Sequence, residues 1–292
     1  MFAVMTLSEI YRKYLLDLKT IYSQNEASEI TSMAFEALAD VQRSDVIKYP
    51  ATVLPDETVQ TLGRALIRLK QHEPIQYITE QAWFCNLAFK VSRAVLVPRP
   101  ETEELVMLVS AFIQKQRLGV LDIGTGSACI PIALLVKNNE INVTAIDVSE
   151  EALEIAKYNA ALHNCPIECK QIDFLDESWW MYLEKTDVIV SNPPYIPEVD
   201  KDLLDTNVSR YEPHLALFEP SGQALIFYHK IAKFAKTHLN EEGKIFVEIH
   251  EDFGKQVLQI FIDAGYEAEL KKDMFGKDRF VVAEKSEPKS SH

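Results

Sequence analysis

The chain has 292 residues, 47% of them hydrophobic, which is enough for a large domain with its own core and a smaller one beside it. Thirty Lys and Arg stand against 44 Asp and Glu, a net charge of −14, and this argues against a protein that tracks along DNA phosphates on a cationic face. No apolar stretch approaches the roughly 20 residues of a membrane span, Met1 to Ile10 lacks the basic-then-apolar pattern of a secretory leader, and Cys85, Cys129, Cys165 and Cys169 lack zinc-site spacing. The expectation is a cytoplasmic protein with reduced thiols and no membrane contact.

Residues 1–73 are predicted to be helical. Leu7, Ile10, Tyr14 and Leu18 recur at helical spacing, as do Ile30, Ala34 and Leu38, then Val59, Leu62, Leu66 and Leu69, with Pro50 and Pro55 punctuating the pattern. No nucleophile or ligand cluster occurs here, so this small bundle is either a substrate-recognition module or a stabilising cap. Residues 74–97 change character. Trp83, Phe84, Leu87, Phe89, Val91 and Val95-Leu96-Val97 predict two short strands, a β-hairpin linker. A helix follows: Pro100 suits a first helical turn, and Glu101, Glu103 and Glu104 complement the dipole at its amino end.

Val120 to Ala128 reads as strand, glycine-rich turn, then helix. Gly124 and Gly126 let the backbone turn tightly and approach a ligand. The third glycine of a dinucleotide fingerprint is missing, because Cys129 stands there. Asn142 to Asp147 is a second strand ending in a carboxylate able to accept both hydroxyls of a ribose. Asp147 could instead cap the next helix, but Ser149 already serves there. Ile167 to Asp173 is a third strand ending at Asp173-Phe174, where Phe174 is equally readable as core.

Val188-Ile189-Val190-Ser191 reads as a buried parallel strand stopped by Asn192-Pro193-Pro194-Tyr195. Read bare, this is a strand end and a Pro-Pro turn. It also suits the holding of a planar amino group: the Asn192 side-chain oxygen accepts one N–H, a Pro193 carbonyl accepts the other, and Tyr195 stacks on the flat group. Residues 197–220 are irregular and include His214, a loop histidine more in keeping with solvation than with base catalysis. Ser221 to Leu239 is an amphipathic helix, Gly243 to Ile249 a fifth strand, Asp252 to Ala264 a helix, and Tyr266 to Leu270 and Arg279 to Glu284 closing strands. Residues 286–292 are a polar tail.

Two motifs carry a family resemblance. Asn192-Pro193-Pro194-Tyr195 resembles the signature of methyltransferases that use S-adenosylmethionine on planar amide or ring amino nitrogens, those of glutamine in proteins or adenine in DNA. With Pro74-Ile75-Gln76-Tyr77-Ile78 and Val97-Pro98-Arg99-Pro100-Glu101-Thr102-Glu103, nearly the whole chain is similar to the PrmC/HemK family, the protein-(glutamine-N5) methyltransferases of peptide chain release factors. The resemblance implies an α/β, Rossmann-like class I methyltransferase domain over 98–285, preceded by the helical domain (1–73) and the hairpin (74–97).

It further implies methyl transfer from S-adenosylmethionine to the glutamine of the Gly-Gly-Gln motif of class I release factors, with S-adenosylhomocysteine as product. Gly124, Thr125, Gly126, Ser127 and Ala128 would face the methionine part, Asp147 the ribose, and Asp173 and Phe174 the adenine. Asn192, Pro193 and Tyr195 would act on the amide, Asn192 also bordering the cofactor and Pro194 completing the substrate cradle. No metal is implied, and direct nucleic-acid binding is not expected. The chain departs from the family at Glu80 and Ala128, where the family usually has Gly, and at His250 and Phe253, where it usually has Gly and Gln. The rival readings are a ribosomal-protein glutamine methyltransferase, an adenine-N6 DNA methyltransferase (which would want a basic target-recognition module), and a catalytically weak protein that binds a translation factor.

Overall fold

The computed structural model describes residues 5–114, 116–196, 206–218 and 224–286. They form two compact units: 5–81 with Thr206–Tyr211, and the other described residues from Ala82 onward.

The first unit holds α1 (Leu7–Leu18), α2 (Gln24–Ala39), α3 (Arg43–Lys48), α4 (Asp56–Leu69) and α5 (Ile75–Thr79). The helical stripes converge as their spacing demands: Leu7, Ile10, Tyr14 and Leu18 of α1 pack with Ala34 and Phe35 of α2 and with Leu62 and Leu69 of α4. The Thr6 N–H donates to the Glu9 carboxylate at 2.8 Å, satisfying one orphan donor at the start of α1. Helix α5 corrects an expectation, since a hairpin was predicted from residue 74. Pro74 instead begins a short helix that buries Ile75 and Tyr77 and ends at Glu80, whose φ of 55° is left-handed.

The hairpin is correspondingly shorter: β1 (Gln81–Phe84) pairs with β2 (Leu87–Lys90). Cys85 and Asn86, with φ of 50° and 61°, make the two-residue turn between them. Val95 and Val97 are buried but lie outside any strand.

In the second unit the chain continues through α6 (Pro100–Ile113), β3 (Gly119–Ile123), α7 (Cys129–Lys137), β4 (Asn142–Asp147), α8 (Glu150–Leu162), β5 (Ile167–Gln171), a 3-10 segment (Glu177–Tyr182) and β6 (Thr186–Ser191). After α9 (Thr206–Tyr211), which belongs to the first unit, come α10 (His214–Leu217), α11 (Ile226–His238), β7 (Leu239–Glu248), α12 (Gly254–Asp263), β8 (Tyr266–Lys272) and β9 (Asp278–Lys285). The sheet order is β5-β4-β3-β6-β7-β9-β8. The first five strands run parallel and β9 is antiparallel to both β7 and β8.

The two-residue period of a strand assigns its side chains to opposite faces. Val188 and Val190 of β6 join the cluster with α6, α7 and α8, whereas Ile189 joins the cluster with α11 and α12. Both faces are therefore covered, which is why β6 reads as an unbroken apolar run. Edge strand β8 instead buries only Tyr266, its other positions being half-buried or exposed.

Several element ends differ from expectation, among them the start of α11, which follows a turn at 224–225. Strand β5 stops at Gln171, and Asp173 and Phe174 lie in the turn beyond it. Strand β7 begins at Leu239, not Gly243. The helix predicted from Asp252 opens with a 3-10 turn (Glu251–Phe253) before α12. Residues 197–205 and 219–220 of the predicted irregular segment, 221–223 at the start of the predicted Ser221 helix, and 287–292 of the polar tail lie outside the described residues.

Candidate active site

Strand order reverses between β3 and β6, and the carboxyl ends of strands flanking such a point are where open α/β sheets hold ligands. A cavity of about 460 Å³ lies there. Its wall includes Gly124, Thr125, Gly126 and Ser127 after β3, Asp147 at the end of β4, Asp173 and Phe174 after β5, and Asn192, Pro193 and Pro194 after β6.

The glycine turn is held from behind. The N–H groups of Gly124 and Thr125 donate to the Ile146 carbonyl at 2.9 and 3.0 Å, locking the turn to β4. Gly124 and Gly126 have φ of 74° and 54°, and a Cβ on either would meet no protein atom within 4 Å. The space before the turn is thus open for a ligand to approach the backbone. Asp147 accepts from Gly126 N–H through Oδ2 and from Ser149 N–H through Oδ1, both at 2.9 Å. Burial raises its pKa, and the N–H groups of Ser149, Gly126 and Val148 pull it back. A carboxylate offers about four lone-pair sites, so acceptor capacity remains for a ligand. Ser149 Oγ caps α8 by accepting from Ala152 N–H, as its position foretold.

Asp122 lies beneath this turn, fully buried, and burial pushes it up to about 7. The nearby Thr125 hydroxyl pulls that value back, yet no hydrogen bond of good geometry reaches either carboxylate oxygen or the Thr125 hydroxyl among the described residues. Asp122 is not in the cavity wall, but Thr125 is, and a buried hydroxyl without a partner there fits a site that takes up a polar ligand. Asp173 Oδ1 accepts from Leu175 N–H at 3.0 Å. Phe174 serves both readings: it lines the cavity and also stacks on Trp180 in the core at 5.6 Å.

Two residues expected at the site stand elsewhere. Ala128 begins α7 with φ of 61° and packs its methyl into the apolar core, outside the cavity wall. Tyr195 is likewise absent from that wall; after two prolines its ring turns to the apolar cluster under α11 and meets His250 edge-on at 5.9 Å. His250 accepts from Asp252 N–H through Nδ1 at 3.2 Å and caps the 3-10 turn, a local role for a side chain that the sequence left unassigned. His214 is not among the lining residues; its ring meets Phe218.

Several contacts were not visible in the sequence. Asn192 Nδ2 donates to Thr102 Oγ1 at 3.2 Å, and that hydroxyl donates to Glu248 Oε2 at 2.7 Å. Ser191 Oγ donates to the Ile123 carbonyl at 2.8 Å, fixing the ends of β6 and β3 side by side. Arg99 clamps both oxygens of buried Glu212 at 2.7 and 2.8 Å, anchoring the segment whose Pro213, Leu215 and Ala216 close part of the cavity. Ile196 N–H donates to the Leu217 carbonyl at 3.1 Å, joining that segment to the Asn192 turn. Buried Asn159 accepts from Lys90 N–H and donates to the Lys90 and Ser127 carbonyls, tying the hairpin to the glycine turn. The sole advance signals were the position of Glu248 at a strand's carboxyl end and of Thr102 in the first turn of a helix.

Residues 105–210 match the family described as the methyltransferase small domain, and residues 9–79 match the PrmC N-terminal domain. A release factor glutamine methyltransferase of Flavobacterium psychrophilum is 35% identical over 274 residues, covering 92% of this chain and 95% of that protein. One from Streptococcus pneumoniae is 39% identical over 264 residues, covering 89% and 93%. Among solved structures, the ribosomal protein L11 methylase of Lactobacillus delbrueckii subsp. bulgaricus has a TM-score of 0.50 and 22% identity, covering 68% of this chain and 84% of that one, a likeness of fold.

Proposed function

This chain belongs to the family of release factor glutamine methyltransferases, and we propose that it transfers a methyl group from S-adenosylmethionine to the side-chain amide nitrogen of the glutamine in the Gly-Gly-Gln motif of class I peptide chain release factors. The observation that carries this is one cavity walled on one side by the glycine turn and Asp147 and on the other by Asn192-Pro193-Pro194. A cofactor site and an amide-holding site thereby share one space.

When bound, S-adenosylmethionine supplies a sulfonium methyl open to direct displacement. The protein's task is to make a poor nucleophile react, because the amide lone pair is delocalised into its carbonyl. Asn192 Oδ1 and the Pro193 carbonyl accept the two N–H bonds of the substrate amide and fix its plane. Both acceptors also favour the positive charge that develops on nitrogen as the new bond forms, so orientation and electrostatics together lower the barrier. The proton leaves after transfer, and no strong base is required. Asp147 holds the ribose hydroxyls with the lone pairs that Gly126 and Ser149 leave free. Asp173 and Phe174 take the adenine, and the segment anchored by Arg99 and Glu212 excludes water.

The helical unit recognises the body of the protein substrate. If so, KM for a whole release factor lies far below KM for a short Gly-Gly-Gln peptide; equal values would make that unit a stabilising cap. Methyl transfer from labelled cofactor, compared across release factor, ribosomal protein and DNA, tests the acceptor: label should enter the factor, and entry into DNA instead would refute the reading. The net charge of −14 already opposes a phosphate-backbone substrate.

A further inference from the structure

The two ends of an asparagine amide have opposite hydrogen-bonding character, so an Asn that must offer its oxygen to a substrate needs something to tell its ends apart. Building on the proposed function, we infer that Glu248, acting through the Thr102 hydroxyl, is the positioning residue that turns the Asn192 amide oxygen toward the substrate nitrogen. An ionised Glu248 can only accept. The Thr102 hydroxyl has a single hydrogen, which it gives to Glu248 Oε2 at 2.7 Å. Only lone pairs are left on that oxygen for Asn192, which must therefore present its NH2 group, and it does so at 3.2 Å. The amide oxygen is then left for the substrate. Every partner is held: Thr102 is 3% and Glu248 1% exposed, and they lie 146 positions apart on α6 and β7.

Protonation reverses the direction of donation along the chain. A neutral Glu248 carboxyl can donate to Thr102, whose hydrogen is then free to be given to Asn192 Oδ1, drawing the oxygen away from the substrate. Burial pushes Glu248 up to about 7, against the pull of the Thr102 hydroxyl. The charged and titratable groups that bear on it are Arg279 on β9, Arg99 and Glu101 at the start of α6, Tyr195 after β6 and Tyr228 on α11. Arg279 and Arg99 favour the ionised form and Glu101 opposes it.

The test is the turnover of release factor at saturating substrates by the wild type, Thr102→Val, Thr102→Ser and Glu248→Gln. Valine matches threonine in shape but severs the relay, whereas serine keeps the hydroxyl. Thr102→Ser is expected to exceed Thr102→Val in kcat by about tenfold or more, the scale of a misoriented acceptor, with the KM for cofactor alike in the two. A ratio near one overturns the inference even if both variants lose stability, since packing would then be all that Thr102 supplies. The pH profile is the second arm. Wild-type kcat should rise with pH through about 7 and Glu248→Gln should lack that step; the same step in both proteins excludes Glu248 as its source and overturns the relay. Wild-type protein that leaves the factor's glutamine unmodified would bring down the proposed function and the relay with it, whereas wild-type methylation with a ratio near one removes the relay alone.

Discussion

Replacing Asp147 by alanine removes a carboxylate that does two things at once. It accepts from Gly126 N–H and Ser149 N–H at 2.9 Å each, and its remaining lone pairs face the cavity. Two ribose hydroxyls lost at about 1 kcal/mol net each give about 2 kcal/mol, or roughly 30-fold in affinity. Freeing Gly126 N–H loosens the glycine turn and moves the loss in the same direction. Asp147→Asn should fare little better, because both oxygens already accept backbone N–H groups, so its NH2 faces a backbone donor in either orientation. Isothermal titration with S-adenosylmethionine measures the loss, with a melting curve showing that the variant is folded. Affinity within twofold of wild type in a folded Asp147→Ala protein would refute the assignment of Asp147 to the ribose.

The two non-glycine residues at left-handed positions where the family usually has Gly should respond differently to that replacement. Glu80 is exposed, so Glu80→Gly relieves strain with no packing loss and should stabilise by about 0.5–1 kcal/mol in chemical unfolding. Ala128→Gly relieves similar strain but deletes a fully buried methyl worth about 0.8 kcal/mol, so its net effect should be near zero. Asp122 titrates at about 7 when folded against an ordinary value of 3.8, so the folded state holds the proton more tightly and stability falls as pH rises between those values. Asp122→Asn should therefore melt above wild type at pH 8 and close to it at pH 4, and a constant gap across that range would show that Asp122 is not the titrating group. Asn159→Ala should weaken cofactor binding from outside the cavity by freeing the Ser127 carbonyl, and unchanged affinity on titration would show that the turn does not need that tie.

The features legible in the sequence were those carried by local pattern. The β-branched run of β6, the glycines at 124 and 126, the carboxylate ending β4 and the Ser149 cap each declare themselves within a few residues, since strand burial, turn geometry and capping are short-range effects. Helix α5 was missed because five residues carry too little periodicity to set against a proline. Tyr195 was expected to stack on the substrate because it ends the motif, but the direction of a side chain after two prolines depends on what packs behind it, here His250 and the cluster under α11. The Asn192–Thr102–Glu248 relay and the Arg99–Glu212 clamp join positions 90, 146 and 113 residues apart, and spacing along the chain cannot show such partners. Asn159 sits in a helix whose other buried positions are apolar, and only the fold reveals that its amide faces a backbone.

Peptide mass spectrometry of a class I release factor, after incubation with S-adenosylmethionine and this protein, tests the central claim most directly. The expected result is the gain of one methyl group on the glutamine of the Gly-Gly-Gln motif. That gain should be absent with Asn192→Ala, which keeps its cofactor affinity, and reduced with Asn192→Asp, which keeps an acceptor but adds a charge. An unmodified glutamine beside methylated adenine in a DNA control would contradict it.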